Sequence, residues 1–201
     1  MTLGAHLIQA DEIAHQLIQP GEAVYQEVVR HFGVAILNAD GTINRARVAE
    51  LAFGSGSGAG SGKVASRIEE LNRIVHPAVI QRQNQWMEGV GRSDPQAIAI
   101  VEAALILEAG AGESFDRLVV VTCLPEQRFE RWAVRTKTDI ETARREVERR
   151  MAAQFPDDVK IKAADYVIDN SGSLEVTRKQ VDEVFRKLAS EANDERLTTN
   201  D

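Results

Sequence analysis

Three short apolar runs of the sequence are each followed by a polar residue whose side chain suits ligand binding or proton transfer. These residues are Asp11 after residues 5–8, Glu102 after residues 97–101, and Asn170 after residues 166–168. A carboxylate such as Asp11 can accept the proton of an attacking hydroxyl group. An acid at this position can also simply stabilise the start of a helix, and the spacing alone leaves both interpretations open.

A group of arginines lies farther along the chain. Arg131 and Arg135 are four residues apart, so on a helix both guanidinium groups project from one face. Guanidinium groups bind phosphate oxygens through paired hydrogen bonds, which suits a transferring phosphoryl group. The alternative is a solvated helix face with an ion pair such as Arg131 with Glu130. On the following helix, ion pairs with Glu146 and Glu148 are expected for Arg144, Arg145, Arg149 and Arg150.

The tract of residues 54–62, which contains only Gly, Ser and one Ala, precedes Lys63 and imitates a phosphate-binding loop. That loop requires Gly, four residues, and then Gly-Lys-Ser/Thr. Here Ser57 occupies the first Gly position, and Val64 replaces the hydroxyl residue that binds magnesium. The loop must also join a strand to a helix, whereas this tract follows an amphipathic helical pattern. We therefore predict a flexible link that binds no phosphate.

Strand-like runs alternate with helical patterns over most of the chain, and this alternation predicts a parallel sheet covered by helices. Ligands bind beyond the carboxyl ends of the strands in such sheets, where Asp11, Glu102 and Asn170 fall. One helix is expected to end at His76, because Pro77 biases the residue before it away from helical geometry. The other helices are expected at residues 11–18, 22–32, 45–53, 78–88 and 174–189.

The composition excludes several classes of protein. A chain of 201 residues suits one domain with a small subdomain, and a net charge of -7 disfavours nucleic-acid binding. No run approaches the roughly 20 apolar residues that a membrane helix needs. The single Cys123 excludes an intrachain disulfide and a cysteine-based zinc site. We expect a soluble cytoplasmic protein, a monomer or weak oligomer, with no membrane partner and no dedicated protein metal site.

Several segments, taken in order, match the motifs of one enzyme family. They are Gln9-Ala10-Asp11 with the helix start up to His15, Leu71-Asn72 with His76-Pro77, residues 104–108 (Ala-Leu-Ile-Leu-Glu), Arg131 with Arg135, and residues 164–172 (Ala-Asp-Tyr-Val-Ile-Asp-Asn-Ser-Gly). Together they resemble the dephospho-coenzyme A kinases, P-loop kinases that phosphorylate the ribose 3′-hydroxyl of dephospho-coenzyme A. The family pattern has Asp where this chain has Gln9, and Pro where it has Ala104.

The resemblance implies a P-loop kinase-like α/β fold, a three-layer parallel sheet flanked by helices. It implies a single kinase-like domain over residues 1–191, followed by a flexible tail at 192–201. Within the domain, residues 20–96 would form a helical acceptor-binding subdomain that contains the 54–62 insertion, and residues 131–156 would form a lid. The implied reaction uses ATP as phosphate donor with Mg²⁺ and converts dephospho-coenzyme A into coenzyme A.

The resemblance also assigns roles to particular residues. Asp11 is the catalytic acid, and Arg131 and Arg135 contact the transferring phosphoryl group. The residues that it assigns to acceptor binding are His76, Asn72, Glu102 and Glu108. The ATP adenine would lie at Asn170 and Gly172. Each position has a structural alternative: a helix boundary for His76, a salt bridge for either glutamate, and a strand-to-helix turn for the last two.

One part of the family pattern has no counterpart in this sequence. The family begins with a strand, a Gly-rich loop ending in Gly-Lys-Ser/Thr, and a helix, and Lys63 does not replace that loop's lysine. We therefore expect a segment before Met1 in the working protein, and we expect residues 1–201 alone to have doubtful activity. The rival functions are a P-loop kinase for another nucleoside or nucleotide, and a non-catalytic fragment that retains Asp11.

Overall fold

The computed structural model describes residues 3–44, 47–48 and 67–199, with the backbone alone described for 67–69 and 194–199. The tract at 54–62, Lys63 and most of the helix expected at 45–53 lie outside the described residues. The chain divides into two compact units, Gly4–Ala103 and a second unit that holds Leu3 and the described residues from Ala104 onward.

The elements assigned among the described residues of the first unit are two strands and three α-helices. In chain order they are β1 (His6–Gln9), α1 (Ala10–Leu17), α2 (Ala23–Phe32), α3 (Arg67–Ser93) and β2 (Ala99–Glu102), with a short 3-10 helix at Val34–Ile36. β1 and β2 pair in parallel, with Gln9 opposite Glu102. Because parallel strands run in the same direction, these two residues end the strands at the same edge.

The helices of the first unit enclose an apolar core. Buried side chains recur about four residues apart, at Ile13 and Leu17 of α1, at Val24, Val28 and Phe32 of α2, and at Val75 and Val79 of α3. This spacing places each set on one helix face. Val28 and Ile36 are 0% exposed, and burying one such side chain contributes roughly 1.5–3 kcal/mol. The core therefore fixes the helices that flank the β1–β2 pair.

The helix end that we predicted at His76 is wrong, because α3 continues through Pro77 to Ser93. A proline inside a helix removes one backbone hydrogen bond and costs about 3 kcal/mol. Burial compensates for this cost: Val75, Val79 and Val90 are all at most 9% exposed. The apolar face thus extends to both sides of Pro77 and keeps the chain helical across it.

Replacing Pro77 with Ala is expected to raise the free energy of unfolding by about 1 kcal/mol. The substitution permits the missing helical hydrogen bond, and the more flexible unfolded chain offsets part of this gain. Urea unfolding followed by circular dichroism measures the change. Pro95→Ala, in the connection before β2, is the matched control and should not stabilise the protein. A lower stability for Pro77→Ala would mean that the packing of α3 requires the proline ring.

The second unit also carries a parallel pair of strands. Its elements are β3 (Val119–Thr122), α4 (Pro125–Thr136), α5 (Ile140–Met151), α6 (Asp157–Ala163), β4 (Tyr166–Asp169) and α7 (Leu174–Thr199), with a short 3-10 helix at Gly112–Ser114. β3 pairs with β4, and Thr122 lies opposite Asp169. In the helical part of this unit, Phe129 of α4 and Ala143 and Val147 of α5 are buried. Lys137 ends α4 with a left-handed backbone, φ 55°.

The last helix is longer than its sequence predicts. We expected it to end at Ala189, but α7 reaches Thr199. Part of the extension is held by Glu191, which accepts hydrogen bonds from the Arg117 Nε at 2.9 Å and the Tyr166 hydroxyl at 2.5 Å. The mobility expected for residues 192–201 stays a prediction. Among the described residues, no helix is long and apolar enough to cross a membrane.

Candidate active site

The carboxyl ends of β1 and β2 bring acidic and amide side chains together. The Gln9 side-chain nitrogen Nε2 donates a hydrogen bond of 2.9 Å to Oε2 of Glu102. Asp11 follows in the first turn of α1 and is exposed to solvent. A carboxylate is favourable there because the helix N-terminus carries partial positive charge. The structure therefore places Asp11 and Glu102 at the edge that the sequence predicts.

Asn72 and His76 are one turn apart on α3, so they lie on the same side of that helix. Both side chains are partly buried. Burial lowers the pKa of His76, because removing the ring from water disfavours its charged form. The helix boundary that we had given as the alternative role of His76 is absent. A role toward the acceptor stays a prediction.

The lowered pKa of His76 predicts a pH dependence of stability. The unfolded chain binds the proton at higher pH than the folded protein does, so folding stability falls as the pH drops below about 6.5. Urea unfolding at several pH values between about 7.5 and 5.5 should show this loss. In His76→Gln the loss should be smaller, whereas His6→Gln, on the exposed edge of β1, should behave like the unchanged protein. Equal slopes for all three proteins would contradict the assignment.

In the second unit, the turn after β4 is held by α4. Arg131 Nη2 donates to the backbone oxygen of Asn170 at 2.9 Å, and Gln127 Nε2 donates to that of Ser171 at 2.8 Å. The Asn170 side chain accepts a hydrogen bond from the Thr177 hydroxyl at 3.0 Å. A Cβ added at Gly172 would meet only ordinary contacts with Val176, at 3.8 Å. The structure thus joins Arg131 to the turn that was predicted to receive the adenine.

Several arginines of α4 and α5 contact an aromatic ring or a carboxylate. Arg149 pairs with Glu146 at 2.8 Å, as the sequence predicts. The guanidinium carbons of Arg135 and Arg150 instead lie 4.9 and 4.5 Å from the centroid of the Trp132 ring. Such cation–π contacts contribute about 0.5–1 kcal/mol at exposed sites. Another such contact joins Arg144 to Phe129, at 4.4 Å, so the expected glutamate pairing describes only part of this surface.

Glu108 takes part in the salt bridge that the sequence left as an alternative. Its Oε1 accepts a hydrogen bond of 2.6 Å from the Phe155 backbone nitrogen and lies 3.6 Å from Lys160 Nζ. The glutamate and lysine side chains are 14% and 15% exposed, respectively. Glu108 therefore anchors the connection between α5 and α6. A contact of Glu108 with substrate stays a prediction.

The sequence analysis did not identify two residues that contact predicted site residues. They are Gln9, which bonds to Glu102, and Trp132, which contacts Arg135. Gln9 stood out only as a departure from the family pattern, and its link to Glu102 requires the register of β1 and β2. Trp132 lies three residues before Arg135, a spacing that places the two side chains on neighbouring positions of a helix. That spacing was the signal available for Trp132.

This protein shares three features with α/β phosphotransferases. They are parallel strand pairs, an acid just beyond β1, and an arginine-bearing helix against the turn after β4. A family profile described as dephospho-CoA kinase matches residues 1–176. The chain belongs to the dephospho-CoA kinase family, which confirms the resemblance drawn from its motifs.

Individual relatives agree with this assignment. The dephospho-CoA kinase of Aquifex aeolicus is 34% identical over 186 residues, which cover 92% of this chain and 86% of the relative. That of Syntrophotalea carbinolica is 35% identical over 187 residues, which cover 93% of this chain and 82% of the relative.

Solved structures share the fold. The crystal structure of TT1252 from Thermus thermophilus has a TM-score of 0.68 and 25% identity, covering 92% of this chain and 85% of that one. The dephospho-CoA kinase from Campylobacter jejuni has a TM-score of 0.61 and 25% identity, covering 94% and 87%. The predicted P-loop kinase-like α/β fold class is confirmed.

Proposed function

We propose that this protein transfers the γ-phosphoryl group of ATP to the ribose 3′-hydroxyl of dephospho-coenzyme A, which yields coenzyme A and ADP. The observation that carries the proposal is the family match over residues 1–176. The reaction is the last step of coenzyme A biosynthesis. Neither another nucleoside or nucleotide kinase nor a non-catalytic fragment is favoured by the relatives.

The residues at the carboxyl edge of β1 and β2 suit the acceptor side of this reaction. The 3′-hydroxyl oxygen forms a bond to the γ-phosphorus, the bond from that phosphorus to the β–γ bridging oxygen breaks, and ADP leaves. Asp11 accepts the hydroxyl proton, because it is an exposed carboxylate at the strand end. We assign His76 and Asn72, on one side of α3, to contacts with dephospho-coenzyme A.

The arginines of α4 suit the donor side. Charge on the transferring phosphoryl group is neutralised by guanidinium groups, which we assign to Arg131 and Arg135. Asn170 and Gly172 form the turn for the adenine, and Arg131 already contacts that turn at 2.9 Å. Residues 131–156 would act as the lid, and residues 20–96 as the acceptor-binding part of one kinase domain that extends to residue 191.

Mg²⁺ fits the chemistry of the first unit's strand ends. This ion prefers oxygen ligands and is usually held by one or two carboxylates together with substrate phosphates and water. Glu102 offers such a carboxylate, oriented by Gln9. When bound, Mg²⁺ neutralises the donor phosphates. Glu108 is the less suitable candidate, because its Oε1 is already bound to Phe155 and faces Lys160.

The remaining proposals concern the surroundings of the enzyme. Its net charge of -7 suits small-molecule substrates rather than nucleic acids. We propose a cytoplasmic protein without a membrane partner that acts as a monomer or weak oligomer. These proposals rest on composition and on the substrates of the reaction.

A direct assay tests the proposed function. The protein is incubated with ATP, Mg²⁺ and dephospho-coenzyme A, and coenzyme A and ADP are quantified by mass spectrometry. Nucleoside monophosphates and nucleosides serve as competing acceptors, and we expect phosphorylation of dephospho-coenzyme A alone. The assay uses residues 1–201 and, in parallel, the product of the complete in-frame coding sequence. Absence of coenzyme A with both proteins, or preference for another acceptor, would overturn the proposal.

A further inference from the structure

The Gln9–Glu102 hydrogen bond joins the last residues of two neighbouring parallel strands. Gln9 is partly buried and Glu102 is exposed, and the two residues are register partners. The 2.9 Å contact uses the amide nitrogen Nε2 of Gln9 and the Oε2 oxygen of Glu102. Position 9 is also where this chain departs from the Asp-Ala-Asp pattern. The residue that departs from the family pattern, Gln9, is therefore the residue that bonds to Glu102.

The chemistry of this pair explains why a neutral amide suits position 9. Like charges directly opposite each other on neighbouring strands are destabilising. A carboxylate at position 9 would face Glu102, and Asp11 follows close behind in the chain. An amide instead donates a hydrogen bond to an ionised acceptor, the stronger kind of hydrogen bond. Gln9 thus orients the Glu102 carboxylate through one oxygen and adds no negative charge.

We infer that Gln9 is a positioning residue that holds the Glu102 carboxylate for Mg²⁺ or its bound water. The inference rests on the proposed function. The charge of the group that Glu102 would bind favours Mg²⁺ over a phosphate. The phosphates of dephospho-coenzyme A and ATP are anionic and would be repelled by Glu102, whereas a hydrated cation is attracted to it. Gln9 acts through Glu102 and does not itself contact the reacting atoms.

The inference is tested by the concentration of Mg²⁺ that gives half-maximal activity. Gln9→Leu removes the donor while retaining similar bulk, and it should raise that concentration about tenfold or more. Because the amide does not touch the acceptor, KM for dephospho-coenzyme A should change less than about twofold. Glu102→Gln should raise the Mg²⁺ requirement further. Gln16→Leu, on the exposed side of α1, is the matched control and should resemble the unchanged protein.

An exchange variant separates positioning from a merely structural role. Gln9→Glu combined with Glu102→Gln restores an amide–carboxylate hydrogen bond but moves the charge to the other strand. The single changes should each lower the melting temperature by about one to a few degrees, and the exchange should recover most of that loss. We expect the Mg²⁺ requirement of the exchange variant to remain high, because position 102 no longer carries the charge.

Two outcomes would overturn the inference while leaving the proposed function intact. One is an unchanged Mg²⁺ requirement in an active Gln9→Leu protein. The other is an exchange variant that recovers both the melting temperature and the Mg²⁺ requirement, which would make the contact purely structural. Failure of the proposed function is distinguishable, because neither residues 1–201 nor the product of the complete coding sequence would then form coenzyme A at any Mg²⁺ concentration.

Discussion

Asp11→Asn is expected to lower the turnover number for coenzyme A formation by at least about a hundredfold, the size of effect typical of a lost general base. The amide that replaces the carboxylate has nearly the same shape but cannot accept the proton of the 3′-hydroxyl. Asp11 is exposed in the first turn of α1, so folding should lose only about 0.3–1 kcal/mol of favourable helix-end electrostatics. Steady-state kinetics and thermal unfolding measure the two effects separately.

The neighbouring acid supplies the control for this experiment. Glu12 is also exposed and lies in the same first turn of α1, so Glu12→Gln removes an equivalent charge from the helix start. It should leave turnover within about threefold of the unchanged protein, because a helix-end charge alone contributes so little. Near-normal turnover of Asp11→Asn would remove Asp11 from the mechanism. Equal losses in both variants would indicate a role for the helix start rather than for proton transfer.

Arg135→Ala is expected to lower turnover by about a hundredfold or more, since arginines that stabilise phosphoryl transfer have effects of this size or larger. Truncation also removes the contact with Trp132, 4.9 Å from the guanidinium to the ring centroid. Arg135→Lys keeps the charge but lacks the planar fork, so it should recover only part of the activity. Turnover and KM for ATP, measured at saturating dephospho-coenzyme A, check this expectation.

Substitutions of two further arginines serve as a comparison and a control for Arg135→Ala. Arg131→Ala should raise KM for ATP more than Arg135→Ala does, because Arg131 contacts the Asn170 backbone in the proposed adenine turn. Arg145→Ala is the control, since Arg145 is exposed and bonds to Thr142 within α5. If Arg135→Ala retained normal turnover, Arg135 would have only the helix-surface role that its contact with Trp132 also fits.

The strands could be located from sequence because their signal is local. The runs at 97–101, 118–122 and 166–168 are rich in Ile and Val, and β2, β3 and β4 coincide with them within two residues. Parallel pairing followed from the alternation with helices, since both faces of such strands are covered. Asp11 and Asn170 could likewise be assigned to strand ends, because that position depends only on where each strand stops.

The error at Pro77 shows where local preference is insufficient. Proline biases the residue before it away from helical geometry, and this preference predicted a helix end at His76. The structure instead buries Val75 and Val79 in one core, and α3 continues past both. The free energy of burial depends on which elements meet in the folded chain. No window of sequence around His76 contains that information.

The sequence by itself determined the family, the strand runs and the residues that follow them, including Asp11 and the pair Arg131 and Arg135. Only the tertiary structure decided which of these side chains meet. The Gln9–Glu102 bond joins residues 93 positions apart, and the bond from Arg131 to Asn170 joins residues 39 positions apart. Both depend on strand register and helix packing, which a shift of one residue would change, because successive strand side chains point to opposite faces.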